Sequence, residues 1–397
     1  MSEQTPLVEA NTTPAPVPFH QAVLKVQSDC NMACPSCYIY TAADQSWATK
    51  PARMTLPILT RTAERLAEHV EAHDMPGIQA IFHGGEPLMN GPQYIRQACH
   101  ILRSVMPEGK NMRLGVQTNG VLLTPRMLDV LLEENVRVGV SLDGPAQVND
   151  AARPLKNGRG TYDIVARNLN LLGSERYRSI FNGILCTVDP TSNPQKVLDT
   201  LVQFKPPLID FLMRHATWES PPEHPAPATG KWLLDAFTYW AAQPDPDYPS
   251  VRLFGSLVSL MTDRMSRSEQ IGTSPLAVVV VESDGTYEQN DIMKITYAGA
   301  PMTDMNVYEH SLDDVLALPA TRARQIGLAA LGKTCQACAI KTVCGGGQYD
   351  HRYSRKNGFA NPSVYCNDLQ VFIRGANKHL ADLIDAAKAQ TPETATD

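Results

Sequence analysis

The sequence predicts an α/β fold, a partial (β/α)6 barrel of parallel strands followed by a smaller cysteine-bearing module. Short apolar runs alternate with segments of helical periodicity over the first half of the chain. Polar, Gly-rich motifs recur directly after those apolar runs, where parallel sheets bind their ligands. Seven of the nine cysteines fall into two groups, one near each end.

The elements follow in order. Ala22–Val26 reads as a buried strand that leads into Cys30, Cys34 and Cys37. Thr55–His73 reads as a helix, with Thr55 as its cap and Pro57 in its first turn. Further strands are predicted over Ile78–Phe82, Met112–Gln117, Val136–Leu142, Ile180–Val188 and Leu208–Met213. Helices are predicted over Pro92–Val105, Thr124–Glu134, Tyr162–Leu172 and Pro194–Phe204. Strands alternating with helices of this length imply βαβ units and a parallel sheet. A Pro-rich stretch, Ser220–Ala228, marks a boundary, and Lys231–Ala242 and Val251–Met265 read as helices. Leu276–Glu282 and Thr286–Gln289 form a predicted hairpin turning at Asp284-Gly285. A helical pattern returns over 311–331, and a terminal helix follows the second cysteine group.

With 397 residues, 43% hydrophobic and 19% charged, the chain has the composition of a globular protein. A net charge of −6 gives no electrostatic case for a nucleic-acid partner. No apolar run reaches the roughly 18 residues of a membrane span, and the polar N-terminus lacks the pattern of a signal peptide. The expectation is a cytoplasmic protein with no membrane partner. Grouped cysteines in such a protein read as metal ligands before disulfides. Cys99 and Cys186 stand alone in apolar segments and read as small core residues.

Cys30, Cys34 and Cys37 have spacing C-x3-C-x2-C. Three thiolates on a four-iron cluster leave one iron open, as a catalytic site requires. A zinc site with a fourth ligand elsewhere uses the same residues. In the second group, Cys335, Cys338, Cys344 and Cys366 supply four thiolates, enough to close a cluster or a zinc knuckle.

At this point the chain resembles the radical S-adenosylmethionine (radical SAM) superfamily. Its cysteine motif follows the first strand, and Gly84-Gly85-Glu86-Pro87 resembles the loop that receives the amino group of S-adenosylmethionine. The resemblance implies cofactor contacts at Gly84, Gly85, Glu86, Pro87, Thr118, Asn119, Ser141 and Arg153. Related enzymes carry an aromatic residue just before the third cysteine; Ser36 stands there, which shifts the expected adenine contact to Tyr38. The fold implied is the superfamily's TIM-like core. The second group resembles a SPASM/twitch-type auxiliary module, truncated: Gln348 and Asn290 stand at expected cysteine positions. The implied cofactors are therefore S-adenosylmethionine and two [4Fe–4S] clusters, one auxiliary. Asp291 corresponds to a base in related maturases.

The segments 37–47, 345–353 and 358–366 are similar to the FxsB-type maturases. That resemblance implies a ribosomally synthesised precursor peptide as substrate. The expected product is a C–C crosslink between an aromatic ring carbon and a nearby β-carbon, a three-residue cyclophane. A flavodoxin or ferredoxin would supply electrons. The implied division is an N-terminal disordered arm (1–18), a radical SAM partial barrel (19–219), a helical bridging region (220–270), an auxiliary cluster module (271–375) and a terminal helix with a polar tail (376–397). Thioether formation, epimerisation and sulfatase formylglycine formation stay open as other peptide chemistries. A non-catalytic zinc-binding protein stays open as a different class.

Overall fold

The computed structural model describes residues 15–243, 245 and 247–390. Six parallel strands form its centre: β1 (Gln21–Gln27), β2 (Gly77–Gly84), β3 (Asn111–Thr118), β4 (Val136–Ser141), β5 (Phe181–Thr187) and β6 (Leu208–Leu212). The crossovers run through α1 (Leu56–Ala72), α2 (Gly91–Ser104), α3 (Pro125–Glu133), α4 (Ala146–Ala152), α5 (Tyr162–Leu172) and α6 (Pro194–Val202). Two helix starts show why the sequence breaks where it does. Thr124 and Asn193 accept from the backbone N–H of Met127 and Lys196, and a proline follows each cap. Thr55 precedes α1, but its side chain makes no capping hydrogen bond.

The sheet continues past the barrel at both edges. At one edge, β7 (Ser250–Val251) lies parallel to β6. At the other, β8 (Val278–Val281) lies parallel to β1, with β9 (Thr286–Glu288) and β10 (Met302–Asn306) antiparallel beyond it. The strand order is β10-β9-β8-β1-β2-β3-β4-β5-β6-β7. The expected barrel and auxiliary module therefore share one ten-stranded sheet. The Val-rich β8 supplies the backbone partners that the free edge of β1 needs. The sequence did not predict α4, β7 or β10.

Beyond the barrel come α7 (Ala228–Ala241), α8 (Arg252–Met261) and α9 (Leu312–Ala317), then α10 (Pro319–Ala323), α11 (Lys333–Gln336), α12 (Lys341–Cys344) and α13 (Cys366–Gln390). The helix expected over 311–331 is broken into short pieces. Pro319 opens α10, and Gly327 turns at φ +58°. The terminal helix begins at Cys366, so the boundary expected at 376 falls inside α13. Val17, within the stretch expected as a disordered arm (1–18), is held by Gln325, which accepts from Val17 N and donates to Val17 O. Residues 1–14 and the polar tail beyond 390 lie outside the described residues.

Phe254 of α8 ties the C-terminal helices to the sheet. Its ring contacts Phe211 of β6, Phe237 and Trp240 of α7, and Phe372 of α13, and it is fully buried. Such a cluster concentrates apolar burial where four elements meet. Phe254→Ala is expected to cost about 3–5 kcal/mol, measured by chemical denaturation, because it opens a cavity that four rings cannot all collapse into.

Candidate cofactor and active site

The first cysteine loop leaves β1 and is gripped from two sides. On one side, Gly85 N donates to Gln27 O at 2.7 Å and Glu86 N to Asp29 O at 2.9 Å. A Cβ on Gly85 would sit 2.0 Å from Tyr40 Oη and 2.2 Å from Asp29 O, so only glycine fits that approach. On the other side, Ala33 N donates to Pro154 O at 2.9 Å, and Met32 bridges to Leu155. Cys30, Cys34 and Cys37 lie part-buried in this loop, and none of the nine cysteines forms a disulfide. Burial pushes the Cys34 thiol up to about 11, against the pull of Arg153, and neighbouring Cys37 and Cys30 push it further. Three crowded thiols that repel one another as anions fit a cationic metal centre.

Glu86 is 0% exposed. Its carboxylate accepts from Thr118 Oγ1 (2.7 Å), Asn119 N (2.8 Å) and Leu88 N (3.1 Å). The sequence reading places Glu86 and Pro87 against the cofactor. Both are buried, and Glu86 ties its own loop to the end of β3. Asn119 Nδ2 reaches Asn31 Oδ1 at 2.7 Å and lies 3.8 Å from Cys30 Sγ. Ser141, at the end of β4, accepts from Gln117 Nε2 at 3.1 Å. Arg153 binds Asp143 through Nε (2.7 Å) and Nη2 (3.1 Å). Burial opposes its charge, but that carboxylate raises its pKa above the ordinary value. The structure thus brings Gly84, Gly85, Thr118, Asn119, Ser141 and Arg153 to the carboxyl ends of β2, β3 and β4, around the cysteine loop.

Inside the barrel, Lys25 of β1 is 3% exposed and forms an ion pair with Asp291 Oδ2. Lys25 Nζ also lies 3.2 Å from His83 Nδ1, which accepts from Gly84 N at 2.8 Å. Burial and the adjacent Lys25 push His83 down to about 3, so it stays neutral. Tyr38 Oη donates to Asp291 Oδ2 at 3.2 Å. Burial raises the Asp291 pKa, but Lys25 foremost outweighs it and the net shift is downward. Its Oδ1 is fully covered and has no hydrogen-bond partner. Asp291 is therefore the counter-ion of Lys25 in this arrangement. The Tyr38 ring is also engaged, by His215 at 5.0 Å between centroids and by Lys25 Nζ at 5.9 Å.

Cys335, Cys338, Cys344 and Cys366 line one cavity of about 160 Å³ with Ile340, Pro362 and Gln370. The turn after Cys344 makes this possible. Gly345, Gly346 and Gly347 all have left-handed φ, and a Cβ on Gly345 would lie 1.8 Å from Gly272 O. The buried Arg352 guanidinium donates to all three of their carbonyls. Four thiols free of disulfides around one cavity fit a saturated cluster or a structural metal. Asn290, at an expected cysteine position, caps the short helical turn Asp291–Ile295 and donates to Glu269 Oε2 at 3.1 Å.

Sequence reasoning missed His215 and Asp350. His215 lies three residues past β6, and Nδ1 is 3.0 Å from Asp350 Oδ2. The rule that flagged the other strand ends, a polar residue just after a parallel strand, also covers His215.

Burial pushes the Glu86 carboxyl up to about 7, above its ordinary 4.5. A raised carboxyl stabilises the fold fully below about pH 4.5 and loses that contribution as pH rises through about 7. Relative to wild type, Glu86→Gln should therefore gain stability from about pH 4.5 to about pH 7 and level off above. Urea denaturation at stepped pH measures this.

Residues 24–203 match the sequence model of the radical SAM superfamily. The serine-type anaerobic sulfatase-maturating enzyme of Klebsiella aerogenes is 24% identical over 344 residues, 84% of this chain and 80% of that protein. The cysteine-type enzyme of Clostridium perfringens (strain 13 / Type A) is 22% identical over 382 residues, 94% of this chain and 100% of that one. Native anSMEcpe with bound AdoMet superposes with a TM-score of 0.79 at 22% identity, covering 92% of this chain and 99% of the other. A structure of the same protein with AdoMet and the Kp18Cys peptide gives 0.79 at 20% identity, with the same coverage. These structures share the fold. No described helix is long and apolar enough to cross a membrane. The cysteine loop after β1, the double-glycine loop after β2 and the match over residues 24–203 converge: this barrel belongs to the radical SAM superfamily, whose enzymes bind S-adenosylmethionine at an iron–sulfur cluster.

Proposed function

We propose that this chain is a radical SAM maturase of a ribosomally synthesised precursor peptide, and that it joins an aromatic ring carbon to a nearby β-carbon. One observation carries the reaction class. Between the two cysteine groups, of three and four thiols, runs a series of contacting side chains from Tyr38, beside Cys37, through His215, Asp350 and His351 to Tyr365, beside Cys366. Forming such a bond by hydrogen removal takes away a second electron and a proton, which needs an acceptor for each. The similarity of 345–353 and 358–366 to FxsB-type maturases supports the crosslink as the product.

In this reading Cys30, Cys34 and Cys37 hold the cluster with the open iron, and Cys335, Cys338, Cys344 and Cys366 hold the closed one. S-adenosylmethionine bound at the first cluster would supply a 5′-deoxyadenosyl radical able to remove hydrogen from carbon, once a flavodoxin- or ferredoxin-class donor had reduced that cluster. The protein positions and shields. Gly84 and Gly85 present backbone to the cofactor, while Thr118, Asn119 and Ser141 line its side. Arg153, oriented by Asp143, offers a cation for the cofactor's carboxylate. The Lys25–Asp291 pair keeps a fixed charge balance in the interior.

A second reading has its own support. The similarity to sulfatase-maturating enzymes over 84–94% of the chain favours oxidation of a Ser or Cys side chain to an aldehyde. Incubation with candidate precursor peptides separates the two. A crosslink yields a product two hydrogens lighter, inert to hydrazide and resistant to fragmentation between the joined residues. A hydrazide-reactive product selects the aldehyde. Colourless protein holding zinc in both groups would remove the radical reading altogether.

The two groups should also separate by mutation. Cys30→Ala is expected to lose about half the reconstituted iron and all S-adenosylmethionine cleavage. Cys366→Ala should lose a similar share of iron yet still cleave S-adenosylmethionine, with no modified peptide. Iron analysis and liquid chromatography of 5′-deoxyadenosine read both.

A further inference from the structure

The chemistry proposed above leaves a proton to be taken from the substrate, and the interior offers few groups that can take it. Lys25 is paired with Asp291. His83 Nδ1 is occupied by Gly84 N and Lys25. Glu86 has its carboxylate filled by three donors. Asp143 is bound by Arg153. Asp291 Oδ2 serves Lys25 and Tyr38, and Oδ1 is covered.

His215 differs from all of these. It follows β6 at the carboxyl end of the barrel, on the face that carries the cysteine loop and the double-glycine loop. Its side chain is 23% exposed, whereas the Asp350 side chain is 0% exposed. Asp350 Oδ2 lies 3.0 Å from His215 Nδ1. Burial opposes charge on Asp350, the hydrogen bond with His215 favours it, and the net shift of its pKa is downward. An ionised Asp350 accepts the Nδ1 proton, which leaves Nε2 bare. His215 Nε2 has no hydrogen-bond partner among the described residues and is not among the covered polar atoms. The groups facing His215 are Tyr38 from the first cysteine loop, and Asp350 and His351 from the turn after the second. Arg214 precedes it in the chain, and Asp291 lies beyond the Tyr38 hydroxyl. Burial pushes His351 down to about 4, so it adds no charge near neutral pH.

We propose that His215, oriented by Asp350, is the base that takes the substrate proton. This rests on the peptide-oxidation reading above. After hydrogen abstraction and ring attack, the adduct radical gives one electron to an oxidised acceptor of the iron–sulfur class. The ring C–H bond breaks, its proton passes to His215 Nε2, and its electron pair restores the aromatic ring. The imidazole becomes imidazolium against the Asp350 carboxylate. For Ser or Cys oxidation the same atom takes the O–H or S–H proton, and that bond's pair completes the double bond.

Three measurements on the reconstituted holoenzyme test the assignment. First, the ratio of modified peptide to 5′-deoxyadenosine should fall at least tenfold in His215→Gln, with iron content and S-adenosylmethionine cleavage kept, and added imidazole should restore part of it. Second, Asp350→Asn should lower the same ratio and shift the acid limb of its pH profile, because the tautomer is no longer held. Third, diethyl pyrocarbonate should acylate His215, and bound precursor peptide should protect it, as read by mass spectrometry. This third result does not depend on any variant folding. A wild-type product ratio and pH profile in His215→Gln would overturn the proposal, as would peptide that leaves His215 unprotected. If the wild type modifies no peptide, the parent reading fails; if it does and His215→Gln matches it, only the base assignment fails.

Discussion

Gly85 passes so near the first cysteine loop that no side chain fits between them, and the rest of the site is arranged around that approach. The two backbone hydrogen bonds there, from Gly85 and Glu86, pin residues 27–29 to the end of β2. Because the loop is fixed at its base, Cys30 cannot drift from the barrel mouth. Glu86 carries the constraint onward. Its buried carboxylate reaches the end of β3, so the loops after three strands move as one unit. A buried carboxylate is costly unless its lone pairs are filled, and here three donors fill them.

The same economy of charge governs the interior beyond the loop. Lys25 and Asp291 come from β1 and from the turn after β9, which the sheet holds side by side because β8 pairs with β1. Lys294, one turn further, meets Glu288, Glu282 and Asp44 with almost no solvent. Removing one partner of such a set leaves a buried charge uncompensated, which costs more than the pair itself contributes. Lys25 and Asp291 sit in one chamber, and the position of the C-terminal strands is therefore tied to the chemistry of the barrel. Arg352 plays the parallel part for the second group, holding three successive left-handed glycines so that Cys344 faces Cys335, Cys338 and Cys366.

Much of this was readable in local pattern. The six parallel strands announced themselves as short apolar runs, and the bounds differ from those predicted by one or two residues. The cysteine groups were readable because thiol spacing is itself a ligand geometry. Local pattern failed where contacts are distant. The partners of Glu86 are 32 and 33 residues away, and Tyr38 donates to Asp291, 253 residues on. Arg352 is the brace of a buried turn.

The sequence by itself determined the parallel strands and the spacing of the two cysteine groups, because both are written in the order of residues along the chain. Only the tertiary structure decided which ionisable groups remain available. Asp291 is paired with Lys25, while His215 is held at Nδ1 by Asp350, 135 residues away, and its Nε2 is left without a partner among the described residues. The reason is physical: whether a buried group can act depends on which charges and donors the fold places beside it, and those arrive from elements that no local window contains.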